Sequence, residues 1–444
     1  MKATLHSAPG RPRASRRAFL KQLTGTAVGV SLTQFLPSGV LAANGGPGAN
    51  DRIGIGFIGI GRQASDLLAM LPAFKEVRVV AFADVNLKRA EAAASKHGAS
   101  AVQDYRRLLE LKEVDAIITA TPEHWRGLIC IHSCQAGKDL YVEKPMSLTI
   151  REGRLIVDAV RKYQRVCQVG SQQRSMWPNR CGCELVRTGA IGRVTRVIAH
   201  NYPTPWEGRL PAEPVPEGLD WDMWCGGTEP VPYCKDLYLP RANPGWLSFR
   251  PYSGGEMTGW GAHGFDQVQW ALGMDAGGPV EIWTEGPMMA PPTYQTVETK
   301  ERGDKLCSQP KVFLRYPGDI VMELGDAGPG GAIFIGEKGR ITIDRGYLKS
   351  DPADLAEVAI EKRPAGMVEN HLRDWVNCLK TRARPVADVE IGHRSATVCH
   401  LGNIARWTGR RLRWDPVQER FGDAEADALL DRVRRKPYEL PQTV

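Results

Sequence analysis

Residues 53–64 read IGIGFIGIGRQA, and this stretch constrains the possible folds more than any other part of the chain. Two glycine fingerprints overlap in it, G-x-G-x-x-G at Gly54, Gly56 and Gly59, and G-x-G-x-x-A at Gly59, Gly61 and Ala64. Such a fingerprint holds a dinucleotide phosphate only where it follows a strand and opens a helix. Only one of the two frames can therefore be the phosphate loop.

The flanking sequence favours the second frame. The apolar run RIGIGFI precedes it, as a buried parallel strand would, and RQASDLLAMLPAF follows it with leucines at helical spacing. We predict that Gly59 makes the tight turn, Gly61 admits the pyrophosphate and Ala64 packs the helix on the strand. Arg62 and Gln63 then lie at the helix N-terminus that faces the diphosphate. The two earlier glycines become strand residues that permit close packing.

A second apolar strand, VRVVAFADVN at 77–86, reaches Asp84 about 20 residues beyond the glycines. A carboxylate at that point binds the ribose hydroxyls and repels a 2′-phosphate. The predicted cofactor is therefore NAD, with NADP kept as the alternative because Lys88 and Arg89 are close by.

Strands and helices then alternate up to residue 145. We predict helices at 87–97, 105–111 and 125–136, and strands at 114–121 and 139–145. This alternation indicates an α/β fold with a doubly wound parallel sheet of the Rossmann type. From about Ser175 the pattern changes to strands with hairpin-like turns, at 192–202, 280–286, 311–316, 320–325 and 331–344.

Five motifs together resemble the Gfo/Idh/MocA oxidoreductases. They are ATPEHW at 120–125, EKP at 143–145, QVGSQQR at 168–174, GGEMTGWGAHGFD at 254–266 and EIGHRSATVCHLGNIA at 390–405. The resemblance covers nearly all of the chain after the N-terminal segment. It implies that Thr121, Pro122, His124, Glu143 and Lys144 contact the cofactor.

The predicted organisation combines the pattern with the resemblance. It comprises an export signal at 1–42, a linker at 43–51, an NAD-binding Rossmann domain at 52–174 and a substrate-binding domain at 175–444. The second domain is expected to be α+β, with an open, mostly antiparallel sheet and C-terminal helices, one of them at 369–385 and a second ending at Trp407.

The resemblance assigns Lys144 to the family lysine that touches both the nicotinamide and the reacting alcohol. A cation beside a developing alkoxide stabilises it, which suits this role. The resemblance also implies a cis bond before Pro145. The structural alternative is a lysine that pairs with neighbouring Glu143 at the end of a strand.

The family motif D-x-G-x-H is altered in this chain, since Gly259 stands where the aspartate is expected and His263 is kept. The resemblance thus leaves Lys144 and His263 as the catalytic pair. Asp266 either orients His263 or caps its helix. Arg126 stands where the family commonly has histidine, and we favour a surface charge over a contact with an acidic sugar.

The span 202–252 is rich in Trp, Tyr and Pro and is predicted to cover the site. Aromatic faces can stack on the C–H faces of sugars, although packing or an oligomer contact is the alternative. The candidate substrate contacts are Gln172, Arg174, Trp246, Arg250 and Tyr252, together with Lys144, His263 and Asp266.

Charge and cysteine spacing exclude other classes of partner. Residues 1–42 hold six Lys/Arg and no Asp/Glu, which leaves 52 basic against 50 acidic residues in the rest of the chain. That balance does not indicate a nucleic-acid-binding surface. The ten cysteines lack zinc-site spacing, so no metal is expected, and mostly buried free thiols are predicted.

The N-terminal sequence SRRAFLK at 15–21 resembles a twin-arginine export signal. The apolar run from Leu23 to Leu36 is too short and too polar to span a bilayer, and VLAA at 40–43 offers cleavage near Ala42. This pathway exports folded proteins, often with cofactor bound. A periplasmic protein without a transmembrane segment is expected; the alternative is a chance arginine pair in a basic tail.

These features predict an NAD-dependent oxidoreductase that transfers hydride between a carbinol of a sugar or cyclic polyol and nicotinamide. Free NAD is scarce in the periplasm, so the cofactor is expected to be tightly bound, and a homo-oligomer is expected. One alternative is a glycosidase that oxidises its sugar transiently and returns the hydride. Another is a non-catalytic sugar-binding protein.

Replacing Arg16 and Arg17 together by lysine should leave the protein in the cytoplasm, because the arginine pair is the part of the signal that the pathway reads. Cell fractionation measures the periplasmic share. The matched control replaces Arg11 and Arg13 by lysine in the same basic tail and should export normally. Undiminished export of the Arg16/Arg17 variant would contradict the assignment.

Overall fold

The computed structural model of the protein describes residues 52–239, 245–290, 293–294, 309–328, 330–367 and 369–444. The predicted export signal and linker lie outside the described residues. Among the helices that are described, none has the length and hydropathy that a membrane crossing requires.

A parallel sheet of six strands is formed by the first part of the described chain. Its strands are β1 Ile53–Ile58, β2 Val77–Ala83, β3 Ser100–Val102, β4 Ala116–Thr119, β5 Asp139–Val142 and β6 Cys167–Val169. The intervening helices are α1 Arg62–Met70, α2 Leu87–His97, α3 Tyr105–Leu109, α4 Glu123–Gln135 and α5 Ile150–Lys162. The strand order is β3-β2-β1-β4-β5-β6, which confirms the predicted doubly wound fold.

Two of these strands, β3 and β6, were not predicted. Each has three residues, SAV and CQV, which is too short for an apolar period to show in the sequence. They become strands because longer neighbours, β2 and β5, offer them a backbone edge to pair with.

The second part of the chain forms a mixed sheet with helices on it. Its strands are β7 Val194–His200, β8 Glu207–Gly208, β9 Glu281–Glu285, β10 Thr293–Tyr294, β11 Lys311–Tyr316, β12 Ile320–Gly325, β13 Ala332–Gly336, β14 Gly339–Asp344, β15 Tyr347–Asp351 and β16 Leu412–Arg413. Its helices are α6 Trp177–Arg187, α7 Trp221–Cys225, α8 Lys235–Tyr238, α9 Glu256–Gly259, α10 Gly261–Ala271, α11 Asp354–Glu361, α12 His371–Thr381, α13 Val389–Thr408 and α14 Ala424–Asp427.

The larger sheet has the order β15-β14-β13-β7-β12-β11-β9-β16, and β8 pairs separately with β10. Within that larger sheet β7 and β12 run parallel, whereas the other described pairs are antiparallel. The predicted mostly antiparallel sheet is therefore confirmed. The predicted single run 331–344 is a hairpin of β13 and β14, and β15 and β16 are additional strands.

The C-terminal helices join the two sheets. Trp375 of α12 is fully buried against the parallel sheet, with its ring centroid 5.7 Å from that of Tyr141 on β5. Helix α13 packs both on α5 and on α10, and buries Ile404 in the core of the mixed sheet. Helices α12 and α13 thus return to the parallel sheet, although the predicted division at residue 174 places them in the second domain.

The described residues of the aromatic span, 202–239 and 245–252, form a small core of their own that rests on the loop after β2. Its buried members are Trp206, Leu219, Trp224, Cys225, Tyr233, Cys234, Leu237, Tyr238, Phe249 and Tyr252. The backbone N–H of Leu87 donates to the Gly218 carbonyl, and that of Asp220 donates to the Val85 carbonyl, each at 2.9 Å. We call residues 202–252 the aromatic insert.

Candidate active site

The phosphate loop lies between β1 and α1. Gly59 has φ +78°, and a Cβ there would meet Thr121 Cγ2 at 2.6 Å. Gly61 is extended and caps α1, and a Cβ there would have no atom within 4 Å. Ala64 is buried in the core between helix and sheet. The second glycine frame therefore has the geometry of the phosphate loop, with backbone exposed at Gly61.

Gly54 and Gly56 lie inside β1, away from the loop. A Cβ on Gly54 would be 1.8 Å from the carbonyl oxygen of Glu113, and one on Gly56 would be 2.7 Å from the side chain of Leu108. Close packing explains why these positions have no side chain.

Asp84 follows β2 and turns its carboxylate toward the phosphate loop. Its two oxygens accept hydrogen bonds from the backbone N–H groups of Ile60 and Asn86, each at 2.8 Å. The Arg89 guanidinium is 3.5 Å from Asp84 and lies over the ring of Tyr238, 5.4 Å from its centroid. The Asp84 carboxylate, which favours NAD, and the Arg89 guanidinium, which could accept the 2′-phosphate of NADP, therefore lie side by side at the predicted ribose site.

Lys144 and Glu143 follow β5. The Lys144–Pro145 peptide bond is cis, as the resemblance implies, and Lys144 Nζ donates to the carbonyl oxygen of Gly259 at 2.9 Å. Glu143 accepts from the side-chain amides of Gln63 at 3.2 Å and Gln172 at 2.8 Å. Burial raises the pKa of the Glu143 carboxyl, although neighbouring Lys144 opposes this.

The described residues form one cleft at the carboxyl ends of β1, β2, β4 and β5. Its wall consists of Ile58, Gly59, Ile60, Gly61, Arg62, Gln63, Ala83, Asp84, Val85, Arg89, Gln103, Tyr105, Ala120, Thr121, Pro122, Glu123, Trp125, Arg126, Ile129, Glu143, Lys144, Pro145, Met223, Trp224, Tyr238, Trp246, Leu247 and Gly259. Nine of the predicted cofactor residues line it: Gly59, Gly61, Arg62, Gln63, Asp84, Thr121, Pro122, Glu143 and Lys144. This donor set and the open Gly61 fit a dinucleotide.

Arg126 is not a surface residue, contrary to the favoured expectation. Its side chain is buried, with Nε and Nη2 donating to the carbonyl oxygen of Thr121 at 2.9 and 2.7 Å and Nη1 donating to that of Pro145. These carbonyls belong to the loops after β4 and β5. The guanidinium ties the two loops together instead of reaching solvent.

His124 points away from the described wall of the cleft, although it was predicted to contact cofactor. Its Nε2 lies 2.8 Å from the Trp224 carbonyl oxygen, and its ring packs edge-on against Trp224 and Tyr252. Burial lowers the pKa of the imidazole to about 3, so it is neutral and donates to that carbonyl. The arrangement favours a packing role under the aromatic insert.

His263 lies on α10, beyond the Gly259 carbonyl that holds Lys144. Its Nε2 accepts a hydrogen bond from Arg345 Nη2 at 3.0 Å, and the Arg345 guanidinium also lies over the ring of Trp260. His263 is outside the described cleft wall. While the contact with Arg345 is made, Nε2 is not available to take a proton.

Arg174 and Asp266, both predicted to contact substrate, pair with each other in the core. Arg174 Nε is 2.9 Å from both oxygens of Asp266, Arg174 Nη2 is 2.7 Å from Asp275, and the Ser395 hydroxyl donates to Asp266 at 2.7 Å. Both side chains are almost fully buried. These contacts favour a structural role, neither capping α10 nor orienting His263.

The remaining substrate candidates fall in different places. Trp246 lines the cleft, and Gln172 reaches it through Glu143. Tyr252 is buried in the core of the aromatic insert. Arg250 lies in a separate shallow cavity, stacked on Trp407 with its guanidinium 4.2 Å from the ring centroid.

Two carboxylates beside the segment that leads to Gly259 were not predicted. Glu123 lines the cleft, and Glu256 Oε2 lies 2.9 Å from where a Cβ on Gly259 would be. Glu256 therefore occupies the space into which an aspartate side chain at 259 would extend. Glu123 directly follows the Thr-Pro pair, but its partners come from residues 253–258, which no local pattern connects to it.

The described residues contain no cluster of three or more His, Cys, Asp or Glu that could hold a metal ion. The nine cysteines among these residues are buried free thiols, none of them in a disulfide.

Fold and cleft together define a dinucleotide-binding α/β protein whose second, mixed-sheet half reaches the same cleft. Comparison of the sequence identifies the family. Residues 53–171 match the NAD-binding Rossmann fold of the Gfo/Idh/MocA oxidoreductases, and residues 184–440 match their C-terminal α/β domain. The chain belongs to this oxidoreductase family.

Similar curated proteins cover only part of the chain. A glycosyl hydrolase family 109 protein of Shewanella pealeana is 25% identical over 201 residues, 40% of this chain and 44% of its own length. A scyllo-inositol 2-dehydrogenase (NAD(+)) of Bacillus subtilis is 31% identical over 161 residues, 35% of this chain and 45% of its own. The chain thus matches less than half the length of these relatives.

Solved structures share the fold over most of the chain. The WlbA dehydrogenase of Bordetella pertussis, crystallised with NADH and UDP-GlcNAcA, aligns with a TM-score of 0.59 at 17% identity, covering 82% of this chain and 99% of that one. The aldose-aldose oxidoreductase of Caulobacter crescentus aligns with a TM-score of 0.57, also at 17% identity and with the same coverage.

Alanine at Gly54 and at Gly61 should have opposite effects. At Gly54 the Cβ meets backbone, so the free energy of unfolding should fall by about 1–3 kcal/mol, as expected for overpacking. At Gly61 the Cβ enters the cleft, so stability should be unchanged while the dissociation constant for NAD rises at least ~10-fold, about 1.4 kcal/mol. Denaturant unfolding measures the change in stability, and calorimetry measures NAD binding. If Gly54→Ala weakened NAD binding and Gly61→Ala lowered stability instead, the first glycine frame would be the phosphate loop.

Asp84→Asn should narrow the preference for NAD over NADP by at least ~10-fold, because the neutral amide no longer repels a 2′-phosphate, while it keeps one of the two acceptor oxygens for the backbone N–H groups of Ile60 and Asn86. Arg89→Gln serves as the matched variant and should weaken NADP only. Calorimetry with both nucleotides gives the ratio, and NADP preference in the unmodified protein would refute the assignment.

Proposed function

We propose that this protein is an NAD-dependent oxidoreductase that acts on a CH–OH group of a sugar or cyclic polyol. The observation that carries the proposal is the position of Lys144. Its ammonium stands in the wall of the nucleotide cleft, held at 2.9 Å by the Gly259 carbonyl oxygen from the other half of the protein. A cation so placed can stabilise a developing alkoxide.

The cleft residues would bind and orient the reactants. The backbone at Gly61 and the N-terminus of α1 would hold the pyrophosphate, and Asp84 the ribose. Bound nicotinamide supplies a hydride acceptor or donor at a carbinol carbon. Lys144 would hold the hydroxyl oxygen on that carbon, and the ring of Trp246 would stack on the C–H face of the substrate.

His263 is the proposed proton acceptor, acting together with Arg345. The contact between Arg345 Nη2 and His263 Nε2 must open before the imidazole can take a proton at that nitrogen. We infer that substrate entry displaces Arg345, whose guanidinium would then be available to a substrate hydroxyl or carboxylate.

The aromatic insert supports tight retention of the cofactor. Met223, Trp224 and Tyr238 line the cleft, and the insert is fastened to the loop after β2 by two backbone hydrogen bonds. Gln103 adds side-chain hydrogen bonds to the carbonyls of Val85 and Gly218. Release of a nucleotide would have to displace this cover, which slows exchange.

Redox-neutral glycoside cleavage is the second candidate function. It is favoured by the relatives that bear the name glycosyl hydrolase family 109, which are among the curated proteins that match this chain. A cofactor that stays bound suits a reaction in which the hydride returns to the substrate. The sequence at 15–21 supports export to the periplasm by the twin-arginine pathway. Free NAD is scarce there, so either reaction would need a cofactor that stays bound. We also propose a homo-oligomeric state.

One experiment separates the candidates. Native mass spectrometry of the purified protein identifies bound nucleotide. A panel of inositols, levoglucosan and aryl glycosides is then scored for both NADH and released aglycone. Net NADH supports the dehydrogenase, aglycone without net NADH supports the glycosidase, and neither product with retained sugar supports a binding protein.

Lys144→Ala should retain nucleotide but lose turnover by at least ~10²-fold, the low end for a positioned acid–base group. The loss should appear in kcat more than in KM, because the contact with the alkoxide forms in the transition state. His263→Ala should show a similar loss. If the two residues act as one proton-transfer unit, the double variant should be little worse than either single variant.

The control is Lys349→Ala, which removes an exposed lysine on β15. Its turnover should match that of the unmodified protein. A folded, nucleotide-loaded Lys144→Ala protein that works at near-normal rate would end this mechanism.

A further inference from the structure

Glu123 is a fully buried carboxylate that joins the two halves of the protein. It opens α4 in the parallel-sheet half, yet its oxygens accept from residues of the other half. The Ser253 hydroxyl donates to Oε1 at 2.8 Å and the Gly254 N–H donates to Oε2 at 2.9 Å, while the Thr258 hydroxyl lies 3.1 Å from Oε2. Three donors on one carboxylate form a strong, specific anchor.

The anchored segment leads directly to Lys144. Residues 253–258 form a turn and the start of α9, and the next residue is Gly259, whose carbonyl oxygen accepts from Lys144 Nζ at 2.9 Å. The turn is also held from α13, where the Asn403 side-chain amide donates to the Gly254 carbonyl at 2.9 Å. Glu123 and Asn403 thus both hold the turn that leads to the Gly259 carbonyl.

Burial of this charge is costly and is balanced locally. Desolvation raises the pKa of the Glu123 carboxyl to about 6, opposed by the Arg126 charge and by the three donors. The charged or titratable groups that act on it are Arg126, on the same helix α4, and the thiol of Cys399 on α13. An apolar side chain could fill the same space without the free-energy cost of burying a charge. A buried carboxylate beside the cleft therefore points to a role other than packing.

We propose that Glu123 is a positioning residue, whose carboxylate fixes the 253–259 segment and thereby places the Lys144 ammonium for the reaction. The inference rests on the proposed role of Lys144. It predicts that weakening the anchor loosens a remote segment and slows the chemical step, without loss of nucleotide.

The first test needs no substrate. In Glu123→Gln the side chain keeps its shape, but an NH₂ replaces one acceptor oxygen, so the donor that faces that oxygen loses its acceptor. Hydrogen–deuterium exchange of the nucleotide-loaded protein should show faster exchange at Gly254 and through α9. Glu323→Gln is the matched control, because Glu323 is also buried but accepts from Lys311 of β11 at 2.8 Å, away from the described cleft wall, and it should leave this segment protected.

The second test uses the substrate that the panel identifies. Glu123→Gln should lower kcat roughly 10- to 100-fold, as expected when a reacting group is misplaced by about 1 Å, with little change in KM. Glu323→Gln should keep kcat near normal even if its stability falls.

The pH profile distinguishes positioning from a general loss of stability. In the unmodified protein the anchor should weaken as pH falls through about 6, where Glu123 takes up a proton, so kcat should decline there. Glu123→Gln should lack this acidic limb. The sign for stability is opposite: a raised carboxyl pKa makes the folded state relatively more stable as pH falls from about 6 toward 4.5, and Glu123→Gln should lose that gain.

If Glu123→Gln does not fold, Thr258→Val and Ser253→Ala remove single donors and should each give a smaller loss in the same direction. Normal kcat and normal exchange in the anchor variants, alongside an inactive Lys144→Ala, would overturn this inference while leaving the proposed function intact. An active Lys144→Ala would overturn both.

Discussion

The cleft depends on the hydrogen bonds that the Arg126 guanidinium makes to two loops. The guanidinium donates to the carbonyl oxygens of Thr121 and Pro145, which end the loops after two neighbouring parallel strands. One loop closes over Gly59, and the other carries Lys144. Because the side chain is buried, these bonds are not replaced by water if they break, and both loops would move together.

Buried charges around Arg126 extend the same arrangement. Glu123 and Glu143 lie close enough to interact electrostatically with the guanidinium, and each also accepts hydrogen bonds from a different part of the chain. Glu143 connects to the phosphate-loop helix through Gln63, whereas Glu123 connects to the mixed-sheet half. The free-energy cost of burying these charged groups is offset by their hydrogen bonds. Those bonds hold together the phosphate-loop helix, the loop that carries Lys144 and the segment before Gly259.

The aromatic insert shows how a residue type can mislead when its neighbours are unknown. Trp, Tyr and Arg in a long span suggest a sugar site, and Trp246 does line the cleft. Most of the other aromatic rings pack on one another, as Trp221 and Trp224 do with centroids 4.4 Å apart. The insert forms its own core and covers the cleft on the side of Asp84, so its composition serves mainly to close that side.

The sequence by itself determined the parallel fold, the family, the phosphate-loop frame and the strand-end position of Lys144, because each of these depends on local period, glycine placement or motif order. Only the tertiary structure decided that Arg126 is a buried clamp, that Arg174 pairs with Asp266, and that His124 packs beneath Trp224. It also brought Glu123 and Glu256 beside the place where Gly259 replaces an aspartate. The physical reason is that His124, Arg174 and Glu123 have partners 92 to 130 residues away in the chain. The partners of Arg126 are only 5 and 19 residues away, but they lie on two loops that the sheet brings together. No local pattern records such pairs, whereas in the folded protein each buried charge must find its partner.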